Sequence, residues 1–179
     1  MTRLLCAAVA LLLGAGADAW AAPAPLPRPV ITAGMKKADC GLPLKDALEG
    51  INVSELDGRL KLVEVPCWRA AYQEGSIMFL LDPAAAAKAK LLSFQHWNGK
   101  TIGPTLSLTM PSFEEATKTL SSFHKGRGTG DCGTIGEWVW AAPDFKLTGV
   151  WVKNDCDGEP FDEAEGKDKE KWRIYPPKR

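Results

Sequence analysis

Residues 126–147 read GRGTGDCGTIGEWVWAAPDFKL, and the hairpin in this run organises the rest of the chain. Glu137–Ala141 and Phe145–Lys153 both have the character of strands, and Ala142-Pro143-Asp144 supplies the turn between them. Cys132 and Cys156 lie at nearly equal distances from Asp144, so closing the hairpin brings them together at its open end. Gly126, Gly128 and Gly130 alternate with Arg127 and Thr129, which suits positive-φ turns and close backbone approach just before a disulfide corner. A phosphate cradle is the competing reading. It needs GxxxxGK[ST] or GxGxxG spacing at the start of a helix, and neither occurs. If the run meets a ligand, its polar patch is Lys125, Arg127 and Asp131.

The other cysteines follow from the compartment. Arg3 precedes the apolar run LLCAAVALLLGAGA and a set of small residues, the pattern of a secretory signal cut after Ala19 or Ala21. Leu4–Ala17 is too short to span a bilayer. Residues 1–21 are therefore read as a signal peptide that carries Cys6 away with it. Residues 22–29, APAPLPRP, form a proline-stiffened lead-in, and residues 30–179 one disulfide-stabilised domain. Four cysteines in an exported chain imply two disulfides. With Cys132 joined to Cys156, Cys40 pairs with Cys67 by elimination. Zinc is disfavoured because the chain has no CxxC pair, and His96 and His124 stand far from any cysteine in sequence. The 22 basic and 22 acidic residues balance, which argues against a nucleic-acid partner.

Periodicity orders the elements. Leu44, Leu48 and Ile51 have helical spacing, so a short N-terminal helix runs there and ends at Gly50. RLKLVEVPC reads as a strand with one wet face, ended by Pro66, and SIMFLLD as a more buried one. AAAAKAKLL is ambiguous, whereas residues 90–97 read as a strand before an Asn98-Gly99 turn, and TLSLTM alternates again. In PSFEEATKTLSSFHKG local rules conflict. Ser112 and Glu115 match a capping box, and Phe113, Ala116, Leu120 and Phe123 share a helical face, while TLSSFH has strand character. KWRIYP is a last short strand. The expected fold is α+β, mainly an antiparallel β meander with one short N-terminal helix and two disulfides.

No complete catalytic set appears. Ser122–Lys125 spells SxxK, yet the Ser-Asp-Asn and Lys-Thr-Gly partners of penicillin-recognising enzymes are missing. His96 and His124 read as ordinary strand residues. Asp131 and Glu137 are the carboxylates to consider for hydrolysis of a glycoside-like bond. Asn52 begins an Asn-Val-Ser sequon, which matters only in a eukaryotic secretory pathway, and the alanine-rich leader is of bacterial type. Trp138 and Trp140 have the same parity, so an exposed stacked pair on one strand face is open as a platform.

The pieces LKLVEVPCWRAAYQEG, TLSSFHKGRGTGDCG, EWVWAAPDFKL, Cys156 followed by Gly158, and KWRIYPP, in this order, resemble the C-terminal part of a bacterial family called domain of unknown function 1176. The resemblance runs from about Cys40 to Pro177. It implies an exported bacterial envelope protein with paired cysteines, and a turn at EEATK followed by a strand over residues 119–124. It implies no activity. Two departures stand out: typical members are longer, so the N-terminal half has no counterpart here, and Tyr72-Gln73 stands where the family has Tyr-Asn. The expected function is a non-catalytic periplasmic or secreted binding module, its partner an envelope protein or a cell-wall component, with no cofactor and no metal. A carboxylate-dependent hydrolase and a purely structural envelope protein are the alternatives.

Overall fold

The computed structural model describes residues 25–161 and 169–177, so the signal-peptide reading of residues 1–21 lies outside the described residues. The lead-in is not wholly extended. Helix α1 (Arg28–Lys37) starts within it, with Pro27 at the N-cap and Pro29 in the first turn, where a missing N–H costs no helical hydrogen bond. Leu26, Ile31 and Met35 are buried, and Lys36 and Lys37 sit at the helix C-terminus, where positive charge is favoured. Helix α2 (Leu44–Glu49) is the helix that the leucine spacing predicts, with Gly50 as its C-cap.

Two five-stranded antiparallel sheets and one small ribbon follow. The first sheet has the order β1 (Asn52–Glu55), β2 (Lys61–Arg69), β3 (Glu74–Leu81), β4 (Lys90–Leu91), and β7 (Ser107–Thr109) also pairs with β3. β5 (Phe94–Trp97) and β6 (Ile102–Thr105) form the ribbon, turned by Asn98, whose Oδ1 accepts from the N–H groups of Lys100 at 3.0 Å and Thr101 at 2.9 Å. The second sheet contains β8 (Ser112–Glu114), β9 (Thr119–Lys125), β10 (Gly133–Ala141), β11 (Asp144–Lys153) and β12 (Arg173–Tyr175), in the spatial order β12-β11-β10-β9-β8.

Two expectations change. Pro66 does not end its strand: β2 continues to Arg69 through an irregularity between Pro66 and Trp68, beyond the end of β1, with the proline ring against Gly50. Residues 90–97 are two strands rather than one, because Leu92 turns its N–H to Met78 O at 2.8 Å and the chain then leaves the first sheet. Of the two readings of residues 112–124, the structure has the turn and strand that the family resemblance implies and not the capping-box helix: β8 and β9 form a hairpin. The ambiguous alanines are a 3-10 helix over Pro83–Lys88.

Strand alternation builds the layers. Val63, Val65 and Cys67 of β2, with Ile77, Phe79 and Leu81 of β3, pack against α1 and α2. The opposite face of the first sheet, through Leu62 and Met78, meets Leu120 and Trp138 of the second sheet together with Phe94 and Leu108. On the far side of the second sheet, Ile135 and Trp151 cover Phe161. Cys40–Cys67 ties the link between the helices to β2, and Cys132–Cys156 closes the base of the β10–β11 hairpin, with Cα–Cα distances of 4.6 Å and 4.9 Å.

Candidate functional site

The glycine loop is built around one carboxylate. Asp131, 3 % exposed, accepts from Arg127 Nε at 2.7 Å and from Arg127 Nη2, from Thr129 Oγ1 at 2.7 Å and from Gly158 N–H at 2.7 Å. Arg127 above all, then Thr129 and the Gly158 amide, hold this carboxyl well below the usual carboxylate range, against the effect of burial. The chain folds this way locally because Gly130 has φ +74° and a Gly130 N–H to Arg127 O bond of 3.0 Å closes the turn. Arg127 and Asp131 of the expected patch are thus brought together, but as a lock on the Gly158 segment beside Cys156. Lys125 is not part of it: its N–H donates to Gln73 Oε1 at 3.1 Å, and its ammonium lies 5.8 Å from the Phe123 ring centroid.

The other sequence candidates separate as well. Glu137 pairs with Lys169, four residues into β10, about 14 Å of strand from Gly133 at ~3.4 Å per residue. Asp131 precedes the strand and pairs with Arg127, so the two carboxylates are committed to different cations. Ser122 and Lys125 are three apart in a strand and so point to opposite faces, which removes the SxxK geometry. Trp138 is fully buried, its Nε1 donating to Gln95 O at 3.0 Å, so no exposed tryptophan pair forms with Trp140. Asn52, the first residue of the sequon, opens β1.

What sequence reading passed over is a cleft. At the end of the intersheet layer nearest the Cys132–Cys156 disulfide, a cavity of about 730 Å³ is lined by strands of both sheets and by the β5–β6 turn. His96 and His124, 28 residues apart in sequence, both line it, together with Trp97, Asn98, Thr105 at the end of β6, and Ser107 and Thr109 of β7. Thr109 Oγ1 and His124 Nδ1 form a hydrogen bond of 3.3 Å. Trp68 Nε1 donates to Ser107 Oγ at 3.1 Å. His96 stacks beside Trp138, ring centroids 5.7 Å apart, and its Nδ1 is buried without a partner. Burial, and secondarily the nearness of His124, pull the His96 pKa below its ordinary 6.5, so the neutral ring presents one unused acceptor or donor. Strand parity alone carries no signal for this meeting, because the two histidines belong to different sheets.

Neither imidazole has a carboxylate partner among the described residues, and no group of three or more His, Cys, Asp or Glu there is placed to hold a metal ion. No helix of the described residues is long and apolar enough to cross a membrane. The arrangement can hold a small polar molecule by hydroxyl, amide and imidazole groups.

A helix-backed pair of antiparallel sheets, clamped by two disulfides over a polar intersheet cleft, is the class of protein that fold and site define. The chain belongs to the family described as "Protein of unknown function (DUF1176)", whose model matches residues 17–173 and so begins upstream of the resemblance read from about Cys40. It is also 28% identical over 111 residues to "Uncharacterized protein YpfG" of Escherichia coli (strain K12), a match that covers 60% of this chain and 31% of that protein. No solved structure matches the chain.

Proposed function

We propose that the protein is an exported, non-catalytic binding module of the bacterial envelope, and that it takes a polyhydroxylated ligand of the cell-wall glycan type in the cleft between its sheets. The observation that carries this reading is the cleft itself: about 730 Å³ lined by both histidines, threonine and serine hydroxyls, Asn98 and Trp97, with His96 Nδ1 unpartnered. Hydroxyl-rich ligands need such directional groups beside an aromatic surface. Export is supported by the apolar run Leu4–Ala17 after Arg3 and by the two disulfides, which persist in oxidising compartments. The non-catalytic reading is supported by the commitment of Asp131 to Arg127 and of Glu137 to Lys169.

Calorimetric titration of the oxidised protein with soluble cell-wall glycan fragments is the test. Saturable binding is expected, weakened about fivefold or more by His96→Phe, which keeps the ring and removes its nitrogens. Cleavage of the fragments overturns the non-catalytic reading, and equal affinity in the variant removes the ligand from the cleft. Recovery of the intact leader in the cytoplasmic fraction overturns export.

A further inference from the structure

Strand β2 turns Val63, Val65 and Cys67 to the helices and Leu62 and Glu64 to the second sheet, so a carboxyl is set into the intersheet layer beside buried Leu62 and Met78. Glu64 Oε1 accepts from the buried Ser76 Oγ at 2.7 Å. Among the described residues no ion pair includes Glu64. The charged groups that line the same space, Arg69 and Glu74, are bonded to each other at 3.2 Å. Burial pushes the Glu64 carboxyl above its ordinary 4.5; the Ser76 hydrogen bond opposes this and the charge of Glu74 adds to it.

Two cavities meet at this carboxyl. One, of about 550 Å³, is bounded by Tyr72, Gln73 and Met110, and the other, of about 200 Å³, by Asn52, Leu62, Met78 and Phe113. Both are lined by Glu64, Pro111 and Ser112, so they are two halves of one groove with a single uncompensated acid between them. The walls of the wider half are mainly apolar, through Ala70, Ala71, Met110 and Pro111, and Tyr72, 47% exposed, stands there. A partly desolvated carboxylate without a cation is unfavourable, and a cation delivered by a ligand removes that penalty. Apolar walls suit the methylenes that carry an ammonium group, and an exposed aromatic face attracts it.

We propose that this groove binds an alkylammonium group, carried by a free diamine or by a lysine side chain, with Glu64 as its counter-ion. The groove shares no lining residue with the histidine cleft, from which β7 separates it, so the two sites stand or fall independently.

The test is titration of the oxidised protein, followed by backbone amide shifts, with cadaverine and with Nα-acetyl-lysine N-methylamide, and with 1-pentanol as the neutral control. At least one amine is expected to saturate with shifts confined to Glu64 and Ser76 and to residues 69–74 and 110–113. Glu64→Gln, which removes the charge and keeps the shape, is expected to weaken binding about tenfold or more, while His96→Phe leaves it unchanged. Tighter binding of the diamine assigns a free amine as the source, and tighter binding of the lysine derivative a peptide or protein side chain. Tyr72→Ala, at an exposed position, is the second variant, expected to weaken binding if Glu64→Gln does not fold. The proposal is overturned by the lack of saturation with both amines, by equal affinity in Glu64→Gln, or by equal binding of pentanol.

Discussion

At the scale of single residues Asp131 is the clearest case of a side chain whose chemistry serves architecture. Four donor contacts converge on it, two from one guanidinium, and they join the glycine loop to Gly158. Because its folded-state pKa lies below the ordinary 3.8, its contribution to stability is fully present above that pH and is lost as the pH falls through and below it. Acid unfolding followed by circular dichroism should therefore show wild-type protein losing stability below about pH 4, with Asp131→Asn already less stable at neutral pH and flatter across that range. A variant as stable as wild type at pH 7 would mean that the lock contributes nothing.

At the scale of elements, the β9–β10 junction depends on one glycine and on one neighbour. Gly133 has φ +142°, and a Cβ there would stand 2.1 Å from the carbonyl oxygen of His124. Gly133→Ala is expected to cost about 1 to 3 kcal/mol in urea unfolding at unchanged m-value, since the carbonyl belongs to the ladder and cannot move aside alone. The neighbour is β10 itself. Residues 112–123 have the period and capping box of a helix, yet Thr119–Lys125 pair with β10, and Glu115 accepts from Glu55 N–H at 2.9 Å instead of capping. A ready strand edge and β-branched character outweighed a local preference worth only a few tenths of a kcal/mol per residue.

At the scale of the whole molecule, two disulfides hold the outer layers to the sheets. Cys40–Cys67 and Cys132–Cys156 span 27 and 24 residues, each expected to stabilise by about 3 to 4 kcal/mol in the chain-entropy account. Replacing Cys132 and Cys156 together by serine should lower the unfolding free energy by about that amount. Peptide mapping without reduction checks the pairing, and any Cys67–Cys132 link would contradict it.

Much of this was legible from residue order. Hairpin closure near Asp144 is local, so it predicts the Cys132–Cys156 bridge without knowledge of anything else in the chain, whereas the register, which turns at Ala142-Pro143 and shifts at a bulge between Glu137 and Trp138, was not legible. Helix α2 and strand β3 were legible because the spacing of Leu44 and Leu48 reports one packed face and the unbroken apolar run Ile77–Leu81 reports a strand covered on both. Helix α1 was not, because its prolines read as a linker until Leu26 and Ile31 found the first sheet to pack against. Both candidate sites lay beyond sequence reading altogether. His96 meets His124 only because the ribbon and β9 converge on one cleft. Glu64 becomes an unpaired acid in a groove only because β8 lies across the layer from β2. Sequence by itself determined most of the strands, though not all their ends, the cross-links and the family; the packing of one sheet on the other decided which polar groups were left without partners, because a missing partner is a property of the assembled layers and not of any segment.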